Sequence, residues 1–189
     1  MIDRDQALSL VKKYIKTENT VKHMLATEVV MRALAKKFEP DKVDIWGLTG
    51  LIHDLDLEAM KDTSEHGVKT LEILESEQVE LPQEVIQTIQ GHNYDKNGLQ
   101  EPKTLMDWSL FICDTLTGLI VATALVRPDR KLESVKVKSV MKKFKNKAFA
   151  AGTRREEIAM CEDKLKMTLN DFVALSLSAM QEISDELGL

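Results

Sequence analysis

The amino-acid sequence predicts an all-α fold, and three observations support that prediction. Apolar residues recur three or four positions apart along nearly the whole chain, which places them on one face of successive helices. The alternation of β-branched and aromatic residues that is typical of strands hardly occurs, and aromatic residues make up only 5% of the chain. Eight glycines and four prolines interrupt the pattern at few places, so those places are expected to be helix ends.

Four helices are expected in the first 80 residues. The first is marked by an apolar face made of Leu8, Val11, Tyr14 and Ile15. Thr20 can cap the second helix, which stops at Pro40 because proline does not continue a helix. A third helix is expected from about Asp41 to His53, and Ser64 precedes a fourth.

The middle of the chain predicts one short and one long helix. Pro82 stands where a helix can begin, and this helix ends near Gly91. Thr104 can cap a long apolar helix that ends before Pro128. This long helix is the most apolar part of the sequence, so we expect it at the centre of the fold.

Three further helices are expected towards the C-terminus. Ser134 opens a basic amphipathic helix. Thr153 and Glu156 have the spacing of a capping box, in which the two side chains bond to free backbone N–H groups. Thr168 or Asn170 then caps a last helix that runs to about position 187.

Composition and charge exclude several classes of protein. The chain has 189 residues, which fits one domain over 1–189, and its net charge of −5 does not favour general binding to nucleic acid. Two cysteines are too few for a disulfide scaffold, and the N-terminus lacks the apolar region of a signal peptide, so we expect a cytoplasmic protein. The apolar segment from Trp108 to Val126 has the length of a bilayer span, but Asp114 interrupts it, so we expect a buried helix and no membrane association.

Several polar residues stand where the sequence predicts a core. All four histidines, His23, His53, His66 and His92, fall at or near predicted helices. Asp54 and Asp114 lie in or next to apolar segments, where an unpaired charge would be costly. Each residue alone is best interpreted as a satisfied core histidine or a capping aspartate, but together they favour a divalent cation as the shared counter-charge.

The order His23, then His53-Asp54, then Asp114 resembles the H…HD…D signature of the HD-domain metal-dependent phosphohydrolases. The segment Cys113–Gly118 is similar to the last part of that signature, in which an aspartate on a long helix is followed by small residues. The resemblance implies an HD-domain-like helical bundle over residues 18–127, with a basic helix and a C-terminal helical extension over 128–189. It also implies that these four residues bind one metal ion.

His66 and His92 resemble the two extra histidines of the two-metal branches of this family, such as the HD-GYP enzymes. By that resemblance these two histidines and a bridging Asp54 would hold a second ion, and Asp54 would orient a metal-activated hydroxide. Mixed imidazole and carboxylate ligands suit iron, manganese, zinc, cobalt or nickel, and the sequence does not distinguish them or decide between one ion and two. Cys113 is expected to pack in the core instead of binding metal.

One position departs from the family pattern. Leu57 stands where many members have a lysine that approaches the substrate phosphate. Arg127 and Arg130, just after the long helix, are the alternative substrate-binding cations by position alone. The acids Asp56 and Glu58 are interpreted as solvent-exposed residues at a helix start, with a supporting role around the metal as the alternative.

The function predicted from this resemblance is hydrolysis of a phosphate ester, with a nucleotide or another small phosphorylated metabolite as substrate. The first alternative is a catalytically silent HD-domain protein that binds metal or nucleotide as a regulatory or scaffold module. The second is a nucleic-acid-binding module that uses the lysines of 136–147, although that segment is first interpreted as a solvated face or a rim that attracts phosphate. A homo-oligomer is possible.

Overall fold

A computed structural model describes residues 2–189 and confirms the all-α prediction, since no strand occurs in that range. The α-helices are α1 Arg4–Tyr14, α2 Glu18–Phe38, α3 Val43–Ile52, α4 Val68–Ser76, α5 Gln83–Gly91, α6 Tyr94–Asn97, α7 Leu105–Leu125, α8 Val137–Lys145, α9 Arg155–Ala159, α10 Cys161–Lys164, α11 Leu169–Gln181 and α12 Ser184–Leu187. Short 3₁₀ turns at Pro40–Lys42, Thr63–Glu65 and Leu132–Ser134 precede α3, α4 and α8.

Two of the predicted helix caps form as expected. Thr104 accepts a hydrogen bond from the backbone N–H of Asp107, and the Asp107 side chain bonds back to the Thr104 backbone, which makes a capping box at the start of α7. Thr168 accepts a hydrogen bond from the backbone N–H of Asp171 at the start of α11, whereas Asn170 lies inside that helix. These caps fix where the longest helix of the core and the main helix of the extension begin.

Other predicted boundaries are wrong. The second helix begins directly after Thr17, whose side chain makes no capping hydrogen bond, and Thr20 lies inside the helix. The Glu58 carboxylate accepts hydrogen bonds from the backbone at Lys16 and Thr17 and so holds the chain at that point. Ser134 does not open α8; it ends a 3₁₀ turn, and its hydroxyl contacts Arg127.

The C-terminal part differs from the sequence prediction in two further ways. The capping box of Thr153 and Glu156 does not form in the described structure, because α9 begins only at Arg155, whose N–H bonds to the Thr153 carbonyl oxygen in a tight turn. The last predicted helix is two helices, since α11 ends at Gln181 and α12 starts at Ser184.

The core is built around α2 and α7. Helix α2 packs against α3, α7 and α11, and α7 also contacts α5, α8 and α9. Helix α3 approaches α2 closely at Gly50, where a Cβ atom would lie 2.9 Å from the Thr27 carbonyl oxygen. Helices from the C-terminal extension therefore pack directly on the two helices that carry His23 and Asp114.

Helix α7 is long and apolar enough to cross a bilayer by length and composition, but 67% of its most apolar window is buried inside the protein. Its buried residues include Phe111, Ile112 and Leu116, which pack in the same core as Trp46 and Phe172. Burial against other helices accounts for the apolar character of α7, as it does for core helices of globular proteins.

Candidate metal centre

The fold brings together all six residues that the sequence predicted as metal ligands. His23 lies in α2 and Asp114 in the middle of α7, while His53 and Asp54 follow α3 directly. The other two lie at helix ends: His66 precedes α4 and His92 follows α5. Their side chains form two groups, His23, His53, Asp54 and Asp114 on one side and Asp54, His66 and His92 on the other, with ligand atoms within 4.8 Å of one another in each group.

The first group joins α2, α3 and α7. The Nε2 atom of His23 lies 2.9 Å from Asp114 Oδ1 and 3.4 Å from Asp54 Oδ2. The Nε2 atom of His53 lies 3.2 Å from Asp54 Oδ1 and 3.7 Å from Asp114 Oδ1. Two imidazoles and two carboxylates thus present four ligand atoms to one small volume, a donor set that suits a divalent transition metal.

The second group adds two imidazoles on the other side of Asp54. Asp54 Oδ1 lies 3.2 Å from His66 Nε2 and 3.4 Å from His92 Nε2, and the two Nε2 atoms are 3.0 Å apart. Asp54 belongs to both groups, so its carboxylate would be shared if each group held an ion.

The ring orientations of His53 and His92 are fixed by the backbone. His53 Nδ1 lies 2.9 Å from the Gly50 carbonyl oxygen, and His92 Nδ1 lies 2.5 Å from the Ile89 carbonyl oxygen. A carbonyl oxygen only accepts hydrogen bonds, so the neutral ring carries its proton on Nδ1 and keeps a free lone pair on Nε2. Both side chains are buried, so the Nε2 lone pair of each neutral ring is shielded from bulk solvent.

Side chains hold the rings of His66 and His23 in the same orientation as those of His53 and His92, with Nδ1 in a hydrogen bond. His66 Nδ1 lies 2.8 Å from the buried Asp56 Oδ1, which accepts its hydrogen bond. His23 Nδ1 lies 3.1 Å from the Thr117 hydroxyl oxygen, and because that hydroxyl donates to the Asp114 carbonyl oxygen, it accepts from the ring. All four imidazoles thus hold Nδ1 in a hydrogen bond and turn Nε2 towards the two aspartates, the arrangement typical of metal-binding histidines.

The electrostatics fit a cation among these groups. Burial lowers the pKa of His23 and of His53, but Asp114 and Asp54 more than offset it and raise the two values to about 10 and about 9. Burial raises the pKa of Asp54, yet His53 and the other imidazoles hold it well below its usual range. His53 Nε2 is buried and has no hydrogen-bond partner among the described residues, so once deprotonated it offers its lone pair to a ligand such as a metal ion.

Asp56 corrects one expectation, because it is fully buried instead of solvent-exposed. Besides holding His66, its carboxylate accepts hydrogen bonds from the backbone N–H groups of Gly67 at 2.7 Å and Thr70 at 3.1 Å, at the start of α4. Glu58 is exposed, as the sequence predicted. Of the two acids that follow His53-Asp54, Asp56 therefore supports the candidate metal centre, whereas Glu58 supports the fold at the start of α2.

Arg154 is the residue at this site that the sequence did not single out. Its Nη2 atom donates to Asp114 Oδ2 at 3.0 Å, and its Nε atom lies 3.0 Å from Glu157 Oε2. Asp114 therefore directs Oδ1 to the histidines and Oδ2 to the guanidinium. No local pattern marks Arg154, which follows the lysine-rich segment 136–147 in the extension.

Arg155 shapes the wall that faces the metal centre. Its buried guanidinium donates to several backbone carbonyl oxygens, among them those of Phe144 at 2.7 Å and Asn146 at 3.1 Å. It also donates to the carbonyl oxygens of Ala150 at 3.4 Å and Thr153 at 3.2 Å, which holds the turn formed by residues 150–153 across a cleft of about 340 Å³ from His23 and Asp114. The extension thus forms one side of the opening to the site.

The structure does not bring Arg127 and Arg130 to this cluster. The Arg127 side chain contacts Ser134 and Asp129, and Arg130 is exposed in the turn after α7. At the helical rise of 1.5 Å per residue, Arg127 lies roughly 20 Å from Asp114 in the direction of the α7 axis. Their role in substrate binding stays a prediction, and Cys113 is buried in the core as expected.

Comparison with known families agrees with this geometry. The HD domain family model matches residues 20–119, which is more than half of the chain. The chain belongs to the HD domain family, and so to the superfamily of metal-dependent phosphohydrolases. No curated protein and no solved structure matches the sequence significantly.

Proposed function

We propose that this protein is a metal-dependent phosphohydrolase that binds two divalent cations and cleaves a phosphate ester of a small molecule, such as a nucleotide. One observation carries the proposal: four imidazoles, each held at Nδ1, present Nε2 to two carboxylates. In a purely structural cluster, each ring could turn either nitrogen towards any nearby partner, because a buried polar atom needs only one hydrogen bond. The common orientation of the four rings would then not be required.

The ligand sets follow from the two groups. His23, His53, Asp54 and Asp114 would hold one ion, and His66, His92 and the shared Asp54 would hold the other. Bound divalent cations supply Lewis acidity towards phosphoryl oxygens and lower the pKa of water. The mixed nitrogen and oxygen donors suit iron, manganese, zinc, cobalt or nickel.

The chain's own residues contribute orientation and charge. Asp54 is the candidate catalytic residue, because its two oxygens face different histidines and so fix the relative position of both ligand groups. Arg154 holds Asp114, and Arg155 holds the turn at 150–153. Both guanidinium groups are already bonded to protein acceptors, so they position the two sides of the cleft in which the phosphoryl group would bind and do not replace the lysine charge that is missing at Leu57.

The experiment is a hydrolysis assay with a panel of phosphomonoesters and nucleotides, with metal content measured on the same preparations. We expect the wild-type protein to hydrolyse at least one compound and Asp54→Ala to lose both metal and hydrolysis. Asp62→Ala is the matched control, because Asp62 is exposed and caps only the turn at Ser64.

Two outcomes would count against the proposal. A metal-loaded and fully active Asp54→Ala variant would contradict the assignment of Asp54. A wild-type protein that holds metal but hydrolyses nothing in the panel would favour the alternative, a silent HD-domain protein that binds metal or nucleotide.

A further inference from the structure

A groove of about 330 Å³ lies between α2 and α7, next to the metal-binding residues. His23 and Gly118 line this groove, and the same two residues line the cleft that opens at Asp114. The C-terminal residues 187–189 form another part of its lining. The groove therefore adjoins the cleft at which the phosphoryl group is proposed to bind.

Helical spacing shows how the groove extends from the metal centre. Along α7, the residues Asp114, Gly118, Val121 and Leu125 are separated by four, three and four positions, so they share one face of the helix. This face reaches about 16 Å from Asp114 to Leu125 at 1.5 Å per residue. The residues of α2 that line the groove also share one helix face, since they are spaced by three or four positions: Asn19, Lys22, His23 and Ala26.

The lining of the groove is mainly apolar. Val121, Leu125 and Leu187 contribute aliphatic side chains, and Leu125 is 48% exposed. The ammonium group of Lys22 lies 2.7 Å from a Glu18 carboxylate oxygen, so its charge is already paired. A lining of this kind favours an uncharged apolar group over a second phosphoryl group, and the volume is in the range of small-molecule sites.

Gly118 keeps the passage between cleft and groove open. It is exposed in the interior of α7, where glycine costs about 1 kcal/mol relative to alanine. A Cβ atom at this position would meet no described atom within 4 Å, so helix packing does not demand glycine there. Its effect is to leave the helix surface without a side chain between the metal ligands and Val121.

We propose that this groove binds the apolar leaving group of the phosphate ester while the phosphoryl group lies in the cleft beside Asp114. The inference rests on the proposed function and narrows its substrate to a phosphate monoester of a hydrophobic alcohol. Sugar phosphates and polyphosphates would leave the apolar lining unfilled or place charge against it.

The test is calorimetric titration of the metal-loaded protein with inorganic phosphate and with n-alkyl phosphonates from ethyl to octyl, which are not hydrolysed. We expect Kd to fall about two- to fourfold per added methylene until the groove is filled. Val121→Asn should flatten this dependence while the Kd for inorganic phosphate changes less than about twofold. Val126→Asn is the matched control, because Val126 is 56% exposed and does not line the groove.

A second variant, Gly118→Leu, tests the proposal if Val121→Asn does not fold. Gly118→Leu places a side chain in the passage and should also remove the chain-length dependence. The proposal is overturned if the wild-type Kd does not depend on chain length, or if Val121→Asn and Val126→Asn give the same dependence. Neither of those results would contradict the proposed phosphohydrolase activity. If the protein showed neither phosphate binding nor hydrolysis, the proposed function itself would be contradicted.

Discussion

Asp56 and His66 form a buried carboxylate–imidazole pair, with Asp56 Oδ1 2.8 Å from His66 Nδ1. The other oxygen of the same carboxylate holds the start of α4 through Gly67 and Thr70. The pair therefore ties the orientation of one candidate metal-binding ring to the position of a helix. A carboxylate in this place keeps the proton on Nδ1 and makes Nε2 a better ligand.

Asp56→Asn should weaken metal binding by about 10- to 100-fold, because the amide is a weaker acceptor for His66 Nδ1 and can turn a donor towards it. The measurement is competition for metal against a chelating dye. Glu58→Gln is the control, since Glu58 is exposed and accepts its hydrogen bonds from the backbone at Lys16 and Thr17. Equal metal affinity in the Asp56→Asn and wild-type proteins would show that His66 needs no carboxylate partner.

Arg154→Ala should lower metal affinity roughly tenfold, because Asp114 Oδ2 loses its hydrogen bond and the carboxylate is free to rotate. Arg154→Lys should recover part of the loss, since lysine restores the charge without the planar fork that reaches both Asp114 and Glu157. The same dye competition checks this, with Arg130→Ala as control. If Arg154→Ala binds metal with wild-type affinity, Arg154 does not position Asp114 for metal binding.

Gly50→Ala should destabilise the fold by about 1–3 kcal/mol, because the added methyl group would lie 2.9 Å from the Thr27 carbonyl oxygen and 3.0 Å from Met31 Cγ. Gly118→Ala, where the methyl group meets no described atom within 4 Å, should instead stabilise by up to about 1 kcal/mol. Urea unfolding of the two variants measures both effects. Similar free energies of unfolding would contradict the close approach of α3 to α2.

The metal-free protein should lose thermal stability as the pH rises from 7 to 10. Burial lowers the pKa of His23, His53 and His66, but hydrogen bonds and charge from the aspartates raise the values to about 10, 9 and 10 in the folded state. A raised folded-state pKa gives stability that is fully present below the ordinary value of 6.5 and is lost as the pH passes the folded value. A metal-free Tm that stays constant over this range would contradict these ion pairs.

Metal binding should show the opposite pH dependence. Cations compete with protons for Nε2, so metal affinity should rise with pH until the histidines are neutral at about pH 9–10. Dye competition at several pH values measures this rise. An affinity that is independent of pH between 6 and 9 would mean that the histidines do not bind the metal.

The clustering of the candidate metal ligands could be predicted from the sequence because histidines and aspartates are unusual in an apolar context. His53-Asp54 and Asp114 stand in or beside buried helices, where only a shared partner makes their burial acceptable. Helix spacing was equally informative, since Val11 and Ile15 of the apolar face that predicted α1 are buried in the core.

The residues that complete the site depend on tertiary contacts that no local pattern reports. Arg154 meets Asp114 across 40 positions of sequence, and Arg155 holds a turn through carbonyl oxygens that any residue could supply. Asp56 looked like an acid at a helix start, and only the position of α4 explains its burial. Helix ends were mispredicted for the same reason, since Glu58 fixes the start of α2 from 41 positions away.

Elemental analysis of purified wild-type and His92→Ala protein tests most directly whether the buried imidazoles and carboxylates converge on metal ions. We predict two equivalents of a divalent transition metal in the wild-type protein and one in His92→Ala, because His92 belongs only to the second group. Unchanged stoichiometry in His92→Ala would contradict the second ion, and wild-type protein without bound transition metal after growth and dialysis in metal-supplemented buffer would contradict the account as a whole.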